Sequence, residues 1–408
     1  MEAMNKLHGE VMELWPFKGP QQKYVSVADE EGEGQAQKTK WMRSAPGSRG
    51  KIFRMAVWIL VLANVVAIPA GAYWYFGGRG SQKTADSDLV NDVVSEWPAE
   101  GDSGGYFDVD TNSTTRCPQR HEWRTLSREE QQEYIRAVLC LRTIPSVLQP
   151  ALNRSSYDDW PLVHSHVGYT THNSAPFLPW HRYFLHLYEK TLRGQCGYSG
   201  ALPFWDWTMD SMALEMAPVF SAADGFGGDG EVDGNITVGR TGRCVVDGPF
   251  AGITAEYYDV KYKPHCLSRG FRDFEGELGH MNGQDVTRES IEEVLELNDY
   301  EDFVVMMESK VHNAIPFGIG GDFETFTAPY DPVFFLHHTQ LDRLWWEWQQ
   351  RQPNNGTDLY YGHKERHSME MASLDDEIDM MGLAPRVQVK QVMDTEGGIL
   401  CYTYSNIE

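Results

Sequence analysis

The chain is short of positive charge, closely spaced cysteines and long apolar runs. Lys and Arg total 35 against 59 Asp and Glu, a formal net charge of −24 over 408 residues. That balance argues against a nucleic-acid partner, because neutralising phosphates takes clustered Lys and Arg. The acidic surplus reads instead as a solvated surface. None of the six cysteines belongs to a Cys-x-x-Cys pair, which argues against a thiolate metal site. Only one apolar run is long enough to matter on its own, and it lies near the N-terminus.

That run, Met55 to Phe76, has roughly the 20 residues a helix needs to span a bilayer. Asn64 and Pro69 interrupt it, but both are tolerated in membrane helices. Lys38, Lys40, Arg43, Arg49, Lys51 and Arg54 precede it, and Asp86, Asp88 and Asp92 follow it. The positive-inside rule then predicts a cytosolic N-terminus and a lumenal or extracellular body. A cleaved signal peptide fits poorly, because the run begins far from Met1. Asn112, Asn153, Asn235 and Asn355 open glycosylation triplets, and all six cysteines also follow the run. An even cysteine count in an oxidising compartment predicts disulfides, with the pairing left open.

Residues 1–50 read as a disordered cytosolic tail and 77–116 as a Gly-, Ser- and Asp-rich stalk. A folded body is predicted over 117–408. Leu126-Ser-Arg-Glu-Glu opens a helix with a capping-box pattern. Further helices are predicted at Pro179–Arg193, across Thr287–His312 as one or two, and at Pro332–Arg351. Residues 221–248 are Gly-rich and read as an extended loop. The predicted fold class is mainly α: a four-helix bundle around a metal centre, with long loops, few short strands and the N-terminal membrane helix.

Two segments carry the chemistry: His172-Asn-Ser-Ala-Pro-Phe-Leu-Pro-Trp-His181-Arg-Tyr-Phe and Asp331-Pro-Val-Phe-Phe-Leu-His337-His338-Thr-Gln-Leu-Asp342. Buried imidazoles need partners, and neutral imidazole suits copper or zinc. His164, His172 and His181 make one candidate half-site. His312 and His338 belong to a second, where Asp342, one turn beyond His338, is expected to orient a ligand or its neighbour.

Together with Pro203-Phe-Trp-Asp-Trp, these segments resemble the tyrosinase and haemocyanin superfamily over roughly residues 117–404. The likeness is strongest to short, membrane-anchored fungal members of secondary-metabolite pathways. It implies two coppers, one on His164, His172 and His181, the other on His312 and His338. It selects His164 over the nearby His166. It also associates Asn313 and Glu308 with deprotonating a phenol through water.

The chain departs from that family in three ways. The His-x-x-x-His expected in the second half reads His312-Asn-Ala-Ile-Pro316, so a ligand is lost and the helix is expected to break at the proline. His337 could substitute, but adjacent helical residues point about 100° apart, so one of the two usually faces elsewhere. Thr170 stands where many members have a cysteine in a thioether link, so no link is expected. No C-terminal shielding domain is recognised.

The chemistry implied is O2-dependent oxidation of a phenol or catechol at copper. A rival is a redox-neutral rearrangement or lyase reaction at one zinc on the intact trio, as in cyclopenase-type relatives. A non-catalytic O2-binding protein is a third reading. The partners expected are an aromatic small molecule, O2 for an oxidase, and the membrane through Met55–Phe76. Substrate identity is not legible in the chain.

Overall fold

Helices dominate residues 117–405, which are the residues described by this computed structural model. The expected tail, anchor and stalk lie outside them. Within them, no helix is long and apolar enough to cross a membrane. The α-helices are α1 (Arg128–Leu141), α2 (Ser156–Thr171), α3 (Phe177–Cys196), α4 (Arg288–Leu295), α5 (Tyr300–Met306), α6 (Asn313–Ile319) and α7 (Val333–Arg351). A π-helical turn, Met307–His312, joins α5 to α6. Strands among the described residues are short and form two-stranded pairs only.

Local chemistry explains the ends of these helices. The predicted capping box starts α1: the Glu130 backbone N–H donates to Ser127 Oγ, and Ser127 N–H to Glu130 Oε2. At the start of α2, Asp158 accepts from the Ser155 backbone and hydroxyl. Helix α3 begins two residues before Pro179, within the first turn, where proline's missing N–H costs no helical bond. It ends at Gly197, whose φ of +66° suits a residue without Cβ. Asp331 accepts from Val333 N–H at the head of α7 and is itself held by the buried Arg269.

Helix α2 was not recognised in the sequence. Nearly every residue in it is buried, from Ser156 to Thr171, so it lacks the apolar stripe that marks a surface helix. Residues 221–248 form the expected loop, with only the short strand Arg243–Cys244.

Helices α2, α3 and α7 meet in an aromatic core. Phe335 of α7 stacks on Tyr188 of α3 at 3.5 Å between centroids, and Trp160 of α2 packs edge-on to Tyr188 at 5.1 Å. Such pairs add roughly 0.5–1.5 kcal/mol each beyond area burial. Three disulfides use all six cysteines: Cys117–Cys401, Cys140–Cys196 and Cys244–Cys266.

Asp342 differs from expectation. It orients no histidine. It accepts from Arg120, Arg182, Tyr402 and Tyr404, all buried. Strand Thr403–Tyr404, parallel to Gln119–Arg120, is thereby fastened to α3 and α7. The carboxylate serves the scaffold because two guanidiniums outcompete a neutral imidazole for it.

Candidate metal centre

Four helical segments supply six buried histidines. His164 lies on α2, and His172 caps the C-terminal end of that helix. His181 is on α3, His312 ends the π turn, and His337 and His338 are adjacent on α7. Ring nitrogens of His164, His172 and His181 lie within 4.8 Å of one another, as do those of His312, His337 and His338. The two trios adjoin: His181 stacks on His338 at 4.3 Å between centroids, and His172 is 6.0 Å from His312.

In the first trio, hydrogen bonds fix each tautomer. Nδ1 of His164 faces the Phe326 carbonyl at 2.6 Å, that of His181 the Phe177 carbonyl at 2.6 Å, and that of His172 the Gly168 carbonyl at 3.0 Å. A carbonyl only accepts, so Nδ1 carries the proton and Nε2 keeps a bare lone pair. The Nε2 atoms of His164 and His181 are nonetheless 3.2 Å apart. Two lone pairs at that distance repel unless a cation lies beside them. Burial drives the His164 pKa down to about 4 and those of His172 and His181 well below the usual value, so all three are neutral imidazoles. The donor set fits a metal ion on chemistry alone.

The second half is less uniform. His312 donates through Nδ1 to Asn313 Oδ1 at 3.0 Å, and burial lowers its pKa to about 4. His338 has no hydrogen bond at either nitrogen, and His337 has none at Nε2. Buried imidazole nitrogens left unpaired are costly, so they too fit an ion or ligand between the rings. His337 Nδ1 faces the Trp207 indole N–H at 3.1 Å.

In this half it is the expected helix break that needs correcting. Pro316 offers no donor atom, but His337 brings a third imidazole to the same place. Nor does Pro316 break the helix, because α6 runs through it. The preceding turn is π-helical, with Asn313 N–H donating to the Glu308 carbonyl. That wider turn ends at His312, four residues before the proline, where an α-helix would suffer the ring clash and the lost bond. The irregular backbone was not legible from proline's general effect.

The other expected residues are placed as follows. Glu308 is buried and accepts from the Asn173 backbone N–H at 2.7 Å, tying the π turn to the loop after His172. Burial raises its pKa to about 8. Asn313 orients His312 and donates to the Ser309 carbonyl. Thr170 donates its hydroxyl to the Val167 carbonyl. His166 is half-buried against the Leu162 carbonyl, outside the trio. Phe326 was not foreseen. It packs 5.0 Å from the His172 ring, in a notch at Gly168. Trp207, within the quoted Pro203-Phe-Trp-Asp-Trp motif, is the partner of His337.

Comparison with known proteins gives this geometry a family. Residues 154–351 match the model of the common central domain of tyrosinase. A tyrosinase of Aspergillus flavus, ustQ, is 45% identical over 300 residues, spanning 72% of this chain and 83% of the relative. The chain belongs to the tyrosinase family. Another relative, the N-acetyl-6-hydroxytryptophan oxidase ivoB of Emericella nidulans, is 30% identical over 73% of this chain and 95% of its own length. A solved polyphenol oxidase from Thermothelomyces thermophila, a mutant form, superposes with a TM-score of 0.61 at 31% identity, covering 71% of this chain and 89% of that one. A tyrosinase-family fold implies copper, and both imidazole trios lie within the matched domain.

Proposed function

We propose that this chain is an oxidoreductase that uses O2 to oxidise a phenol or catechol on an aromatic small molecule. The observation that carries the reading is the pair of adjoining, buried, neutral imidazole trios in a tyrosinase-family fold. His164, His172 and His181 would hold one copper. His312 and His338 would hold the other, with His337 as the third imidazole facing it. Copper in such a centre supplies one-electron chemistry with O2. Each catechol gives up two electrons and two protons to become a quinone, and two catechols reduce one O2 to two waters.

The chain's own residues handle position and protons. The carbonyls on His164, His172 and His181 hold those rings before any ion arrives, so little reorganisation is required. Glu308, its pKa raised to about 8 by burial, would accept a phenolic proton through solvent only in its ionised form, which gains population as pH rises towards that value. Asn313 would act beside it while orienting His312. Phe326, half-buried over the first trio, offers an aromatic face to a ring substrate.

Two further assignments belong to the proposal. Met55–Phe76 anchors the chain in a membrane, with residues 1–50 cytosolic, 77–116 a stalk and the body from residue 117 lumenal or extracellular. Three disulfides support an oxidising compartment for that body. The described acceptors Asn153, Asn235 and Asn355 are exposed, as glycan attachment requires.

Oxygen uptake tests the reading. Purified full-length protein is prepared metal-free, loaded with copper or with zinc, and given catechol. The expected result is uptake by the copper form alone. No uptake by a form holding two coppers would overturn it with respect to simple catechols and phenols, and substrate turnover by the zinc form without O2 would favour redox-neutral chemistry.

A further inference from the structure

The third imidazole of the second half carries a contradiction that its neighbours do not. His337 lies with His312 and His338 as a ligand would. Yet its Nδ1 faces the Nε1 of Trp207 at 3.1 Å. An indole N–H only donates, so Nδ1 must accept, and its lone pair is used. A neutral imidazole that accepts at Nδ1 carries its proton on Nε2. That Nε2 is buried and has no protein partner. With the Trp207 bond in place, neither nitrogen of His337 has a lone pair to give.

The other hydrogen-bonded histidines of the centre show the opposite pattern. His164, His172, His181 and His312 each place Nδ1 against an oxygen that accepts, leaving Nε2 bare. His337 is inverted. Coordination through its Nε2 would require expelling a proton to leave imidazolate. Coordination through Nδ1 would strand a fully buried indole N–H. Trp207 is firmly set. Asp206 accepts from Thr208 N–H at the start of the short turn that holds the indole, and also from Gln340 Nε2 on α7.

We infer that His337 is a hydrogen-bond donor facing the second half of the centre and not its third ligand, with Trp207 as the positioning residue that fixes its tautomer. This inference rests on the proposed two-copper centre. The second metal would then be held by two imidazoles, His312 and His338. The His337 Nε2–H, buried and without a protein partner, would be free to donate to an oxygen atom of O2 or of a phenol. The replacement of a family ligand by Pro316 is therefore not made good by a ligand on α7. It leaves an asymmetric centre with a built-in donor.

The tautomer is read directly by 15N NMR of histidine-labelled, metal-free full-length protein, with the His337 signals assigned by their loss in His337→Gln. The expected pattern is protonated Nε2 and bare Nδ1 at His337, and the reverse at His164 and His181. Trp207→Phe should remove the preference for Nε2–H. In copper titrations, His337→Gln should hold two coppers with the second affinity within about threefold of wild type. His338→Gln should lose the second copper. Melting curves of the metal-free variants establish that each is folded. A bare Nε2 at His337 in wild type, or a tenfold or greater loss of second-copper affinity in folded His337→Gln, would overturn the inference. If wild type binds only one metal, the two-copper reading fails separately, and the tautomer still decides the role of His337.

Discussion

Replacing Asp342 with Asn tests whether the two ligand-bearing helices are held by one carboxylate. Asp342 Oδ1 is 2.5 Å from Arg182 Nε, and Oδ2 is 3.2 Å from Arg120 Nη1 and 2.7 Å from the Tyr402 hydroxyl. Asparagine keeps the shape but removes the charge between two fully buried guanidiniums. Breaking a buried pair at one partner costs about 3–5 kcal/mol, mostly through the charge left unpaired. Arg120 retains Glu189 at 2.7 Å, and Arg182 retains Gln349 and two carbonyls. The loss should therefore fall near the lower end of that range, about 3 kcal/mol. Urea unfolding of metal-free protein, followed by tryptophan fluorescence, measures it. Burial alone would raise the Asp342 pKa, but Arg182 and Arg120 hold it below the usual range. Its contribution is then present above the unfolded pKa and lost as pH falls through the lower folded value. The variant should lack that acid dependence. A loss under about 1 kcal/mol, the scale of an exposed pair, would refute the reasoning.

Other residues give independent tests. Glu308 keeps its proton up to about pH 8 in the fold, whereas the unfolded chain releases it near 4.5. Metal-free protein should therefore lose stability as pH rises between those values, by up to about 1.4 kcal/mol per unit, and Glu308→Gln should flatten that slope in pH-dependent unfolding. A Cβ on Gly168 would stand 2.4 Å from the Phe326 ring. Gly168→Ala should displace that ring and change KM for catechol more than kcat, as steady-state oxygen uptake would show. Cys117–Cys401 closes a separation of 284 residues. Removing both cysteines should lower unfolding free energy by roughly 3–5 kcal/mol, with denaturant titration as the check.

Much of the centre was legible because its motifs are local. The aromatic histidine segments, the capping box at Ser127 and the proline in the first turn of α3 are short-range signals, and the structure uses each of them. What the sequence hid was set by tertiary contact. Helix α2 is buried almost all round, so periodicity could not mark it. The π turn before α6 lets a proline sit inside a helix, which no propensity rule anticipates. Asp342, one turn from His338, reads in the sequence as serving the histidines but is claimed by arginines from distant segments. His337 was judged by the 100° between neighbours on a helix. Because the two trios adjoin, both α7 histidines can face the centre. Only the Trp207 contact shows which nitrogen carries the proton.

The central claim is a dicopper centre on these histidines, and metal content tests it most directly. Mass spectrometry of purified full-length protein, after copper loading and removal of loose metal, should give two coppers per chain. His338→Gln should hold one, and combining it with His181→Gln should leave none tightly bound. One tightly held zinc that copper cannot displace, or two coppers unaffected by these substitutions, would contradict the account.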